Sequence, residues 1–136
     1  MGLRIAGYSA LVLVLMSSSI VYAGHRGKWW KHPKIASELG LTEQQVSSIE
    51  SIFDNKKVKM TEIKDKLVEK RRKLQEMISD PNAKKKDINK QAEEVDKFIL
   101  KLDKVKREMI LEIREVLTPD QRTKLQEIWK KRSNYK

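Results

Sequence analysis

Cysteine is absent from the 136 residues, proline occurs three times, glycine five times, and aromatic side chains make up only 6%. Without cysteine there is no disulfide, no thiolate nucleophile and no thiolate ligand for a metal, so a folded state is expected to rest on helix packing and self-association. There is also no Gly-rich phosphate loop and no nucleophile placed with a base, and histidine is limited to His25 and His32. Catalysis and a bound cofactor are therefore not expected. Acidic residues are in deficit as well, 19 against 30 Lys and Arg, a net charge of +11. Charged residues at 36% with so few aromatics would suggest disorder if they were unpatterned. The apolar residues instead recur at helical spacing, which favours order.

The segment 1–23 reads as an export signal, with Arg4 as the charged start, an apolar run centred on 10–16 and Val21-Tyr22-Ala23 at the cleavage positions. Ile5 to Tyr22 carries no charge and has a length near the lower limit for spanning a bilayer, so an uncleaved anchor is the alternative. Only Arg4 leaves with the signal, and residues 24–136, one domain's worth of chain, stay strongly basic. A basic protein inside a cell would suggest nucleic acid. Export removes that partner and leaves acidic proteins, phospholipid or lipopolysaccharide.

Residues 24–40 read as a flexible, basic and aromatic arm, GHRGKWWKHP, followed by a short helix from Lys34 to Leu39 that Gly40 stops. Trp29 and Trp30 beside Lys28 and Lys31 suit either an adaptable contact arm or a docked structural role. Residues 41–136 then form the main helical domain. LTEQQ opens its first helix, with Thr42 able to cap the N–H of Gln45 and Gln45 able to reach back. A heptad seam follows at Val46, Ile49, Phe53, Lys56, Met60, Ile63, Leu67, Lys70, Leu74 and Met77, until Asp80-Pro81-Asn82 breaks the helix. A second seam runs from Ile88 through Ala92, Val95, Ile99, Leu102, Lys106, Met109 and Ile113 to Val116. Two long helices joined by a short turn predict an all-α fold built on an antiparallel hairpin. A last helix opens at LTPDQ, capped by Thr118 with Pro119 in the first turn, and the tail KKRSNYK is expected to fray.

LTEQQ at 41–45 and LTPDQ at 117–121 are two copies of one pattern, far apart in the chain and each at a helix start. One copy is an ordinary capping box. Two copies, together with the export signal and the long basic helices between them, resemble the Spy/CpxP or LTxxQ family of periplasmic chaperones and stress proteins, over essentially all of residues 24–136. Leu41, Thr42, Gln45, Leu117, Thr118 and Gln121 match the motif and are read as carrying architecture. The resemblance implies a thin, cradle-shaped antiparallel dimer whose basic concave face meets unfolded clients without ATP. It also implies roles seen in other members: envelope-stress regulation through a sensor kinase, zinc binding and metal sensing.

Metal binding by this chain has thin support, because His25 and His32 sit among Arg26, Lys28, Lys31 and Lys34, which repel a divalent ion. The pairs Glu93 with Glu94 and Glu112 with Glu115 read as solvated surface partners. Positive charge gathers instead at 56–59, 70–73, 84–86, 104–107 and 130–132. Apolar residues exceed what one seam can cover: Ile52, Phe98 and Val105 fall on one flank, Ile78, Ile110 and Leu117 on the other, and Val58, Val68 and Leu111 point further out. Such flanks are expected to be wet in a lone hairpin and to be covered by a second copy or a client. Ile52, Lys56, Lys59, Arg71, Arg72, Lys73, Phe98 and Val105 are the candidate client contacts. A holding chaperone or stress adaptor is the expected function, with a zinc-responsive sensor or an inhibitor of a sensor kinase as rivals.

Overall fold

The computed structural model describes residues 27–134. The segment 1–23 read as an export signal lies outside that range, as do His25, Tyr135 and Lys136. The fold is all-helical: a 3-10 turn at Trp29–Lys31, then α1 (Pro33–Leu39), α2 (Glu43–Ser79), α3 (Lys85–Val116) and α4 (Pro119–Ser133). No helix among the described residues is long and apolar enough to cross a membrane. The chain divides after Gly40 into two compact units.

Among the described residues of the first unit, Trp29–Lys31 form a 3-10 turn within the stretch read from the sequence as a flexible arm. Trp29 and Trp30 pack edge to face with ring centroids 5.7 Å apart, and Trp30 is buried along with Ile35 and Leu39. An indole with little exposed surface is held by its contacts, which favours the docked role for Trp30 over the adaptable one. α1 starts one residue earlier than the sequence suggests because Pro33 is accepted in the first turn, where its missing N–H costs nothing. Gly40 ends it at φ 62°, a left-handed conformation in which a side chain would strain.

In the second unit α2 and α3 pack as an antiparallel hairpin. All ten residues of the α2 seam and all nine of the α3 seam are buried or half-buried, the lysines included. Met60, Leu67, Val95, Leu102 and Val105 form the core, with Ile63, Leu74, Phe98, Ile99 and Met109 packed on it. The turn between the helices is local chemistry: the Asp80 carboxylate accepts the Asn82 N–H at 2.9 Å, and the Ala83 N–H closes on the Asp80 carbonyl at 3.2 Å. α4 continues to Ser133, so 130–133 are helical where fraying was expected.

Candidate functional site

Each LTxxQ copy first builds a helix start. The Thr42 hydroxyl accepts the Gln45 N–H at 3.1 Å while the Gln45 carbonyl oxygen accepts the Thr42 N–H at 3.1 Å. Thr118 and Gln121 repeat the arrangement at 3.2 and 2.9 Å. The fold then brings the two glutamines face to face. The Gln45 amide donates to the Gln121 oxygen at 2.8 Å and to the Val116 carbonyl at 3.1 Å, and the Gln121 amide donates back to the Gln45 oxygen at 3.0 Å. Each oxygen thus accepts from its own helix start and from the other motif. The pair clasps the start of α2 to the α3–α4 corner, with Gln121 8% exposed and Leu117 buried beside it. A second buried glutamine, Gln91, donates to the Lys70 carbonyl at 3.0 Å across the hairpin.

The candidate contact residues are not gathered into one place. Val105 belongs to the core at 4% exposure, and Leu117 is equally buried, which corrects the expectation that both flanks stay wet. The helices approach closely enough on the flank of Gln91, Phe98 and Val105 to bury part of it. Ile52 and Phe98 are half-buried. The Phe98 ring lies under the ammonium of Lys101 at 4.7 Å and of Lys70 at 5.9 Å. Lys56 is turned inward as well. Its ammonium meets Glu112 at 2.7 Å and Glu108 at 3.5 Å on α3, and the hydrogen bond to Glu112, followed by the charge of both carboxylates, raises its pKa despite some desolvation. Glu112 is therefore a cross-hairpin partner and not a local surface pair, whereas Glu115 stays outside with Arg114 and Arg122. On the surface of α3, Lys97 holds the Glu94 carboxyl below its ordinary range, and Lys97 is raised in return.

Lys59, Arg71, Arg72 and Lys73 do remain exposed, and Arg72 pairs with Glu76 one turn on. They belong to a wider pattern. Residues 59–62, 66–69 and 73–76 read KMTE, KLVE and KLQE, a heptad repeat that puts Lys59, Lys66 and Lys73 in one column on one side of the seam. Lys57, Lys64 and Arg71 form a column on the other side. Successive members are about 10.5 Å apart along the helix. No carboxylate lies within 4 Å of these six cations among the described residues. Six large apolar side chains are 52–68% exposed: Val58, Val68 and Ile78 on α2, and Leu100, Ile110 and Leu111 on α3. Leu100 escapes a reading that follows only the seams and their flanks; its outward heptad position would have revealed it.

No group of three or more His, Cys, Asp or Glu side chains able to hold a metal occurs among the described residues, and His32 is exposed. The arrangement defines an all-helical scaffold closed at one end by two paired motifs and presenting charge and apolar side chains along its length. The chain matches the model of the LTXXQ motif family protein over residues 28–129 and belongs to that family, the family of Spy/CpxP-like proteins. No curated protein and no solved structure matches it.

Proposed function

We propose that the protein is a non-enzymatic, ATP-independent holding chaperone or stress adaptor of the periplasm, which binds unfolded envelope proteins along the hairpin. The reading rests on one observation: exposed Val, Ile and Leu side chains and columns of unpaired cations occur along the same hairpin, on a member of the LTXXQ family. An unfolded chain offers both complements, apolar segments and carboxylates, without a fixed shape. A long open surface suits such a partner better than a pocket does. The contacts are reassigned by exposure. Val58, Val68, Leu100, Ile110 and Leu111 supply apolar surface, and Lys59, Lys66, Lys73 and Arg71 supply charge, while Val105 and Lys56 hold the hairpin together. Pairing of two copies remains part of the proposal, supported by Ile78 and Ile110 and no longer by Val105 or Leu117. Neither the metal-sensor nor the kinase-inhibitor alternative gains an observation of its own.

The test is aggregation of a reduced, unfolded model protein without nucleotide. Equimolar protein is expected to delay aggregation, and Leu100→Ser with Ile110→Ser and Leu111→Ser is expected to weaken that delay with helical content unchanged. An absence of delay by the native protein would sink the assignment.

A further inference from the structure

Charge is distributed unevenly along the hairpin. The tip, residues 70–90, carries eight cations against three acids, whereas the opposite end, 43–57 with 106–120, carries five against seven. Within the tip, Arg72 with Glu76 is the one ion pair among the described residues, and every cation except Lys70 is exposed. α3 also begins against the usual electrostatics of a helix. Its cap is Lys84, with no side-chain hydrogen bond, and Lys85 and Lys86 follow where the partial positive charge of the helix start favours acids. α2 and α4 start instead with a threonine capping box, while at the start of α3 a single acid, Asp87, stands against the three lysines. A local choice that costs the fold stability points to a requirement outside the fold.

From these features we infer that the hairpin tip docks end-on to a membrane surface bearing anionic phosphate headgroups. On α2, Arg71 and Lys73 stand on opposite flanks of the seam and Arg72 on the outer face, so a partner approaching from one side meets only some of them. A charged plane met end-on faces the whole set. Side chains lean toward the start of their helix, which for α3 is the tip, so Lys85, Lys86 and Lys90 reach forward. The 70–73 cations stand behind them by little more than a Debye length, roughly 10 Å at 0.1 M salt. Residues 78–82 and 84–87 are all exposed. Ile78 is the single large exposed apolar side chain there. A folded acidic protein would need a shaped apolar contact that the tip lacks, whereas a headgroup layer needs only charge.

The test is flotation of the protein, purified as the cell makes it, with phosphatidylcholine vesicles with and without phosphatidylglycerol. Lys84→Glu, Lys85→Glu and Lys86→Glu together place acids where the helix start favours them and leave the fold intact. Lys57→Glu, Lys59→Glu and Lys104→Glu change the net charge equally, away from the tip. Binding that requires phosphatidylglycerol, is reversed by salt and weakens at least about tenfold in the tip variant alone supports docking. Slower trypsin cleavage after Lys84–Lys86 on anionic vesicles, and not on neutral ones, supports it independently of any other membrane contact. Equal loss in both triple variants, equal cleavage on both vesicles, or capture of a soluble acidic protein without vesicle binding overturns it.

Discussion

Glutamate serves a capping box as well as glutamine does, since only an acceptor is needed to reach back to the cap N–H. The clasp explains why both motifs of this chain use glutamine: each side chain must also donate across to the other. Gln45→Glu keeps the local acceptor but places a carboxylate opposite the Gln121 oxygen and withdraws the donor from the Val116 carbonyl. A loss of about 1–3 kcal/mol is expected, the cost of leaving part-buried acceptors unmatched. Chemical denaturation of the native and Gln45→Glu proteins measures it, and an unchanged midpoint would mean the clasp is dispensable. The caps are legible in sequence because their partners are close neighbours in the chain. The Gln45–Gln121 pairing is not, because no local pattern reports which residues meet across 76 positions.

At the scale of the helix the seam is readable for the same kind of reason: a heptad fixes which side chains share a face, and every seam residue named from spacing turns inward. Which flank closes depends on how the two helices approach each other, so Val105 is buried and Ile110 is not. Lys56 shows what a cation in the seam contributes. It ties α2 to Glu108 and Glu112 at one depth and so fixes the register of the hairpin. Its pKa is raised in the folded state. The stabilisation is therefore complete below the unfolded value, about 10.4 for lysine, and lost as pH rises through the higher folded value. Raising the pH above that point should lower the denaturation midpoint of the native protein more than that of Lys56→Met. Parallel curves for the two would remove the ion pair from the account.

For the whole molecule the decisive quantity is the excess of positive charge, which sets the range over which a partner is felt. An acidic unfolded client should associate more slowly as salt rises, because the Debye length shrinks from about 10 Å at 0.1 M to about 3 Å at 1 M. Contact through Leu100, Ile110 and Leu111 is not screened, so dissociation should change little and affinity should fall only in part. Reversing Arg71, Arg72 and Lys73 to Glu should mimic high salt. Stopped-flow binding separates the two rates, and an association rate indifferent to both treatments would exclude steering.

The clasp has a consequence in time. A chain grows from its amino end, and Gln45 leaves the ribosome long before Gln121 exists. α2 and α3 can zip from the turn as soon as both have emerged, since their contacts are between neighbours along the hairpin. The second motif follows both long helices in the chain. Closure therefore waits until synthesis has passed it, and until then the base of the hairpin stays open, a built-in delay that keeps the growing chain from locking early.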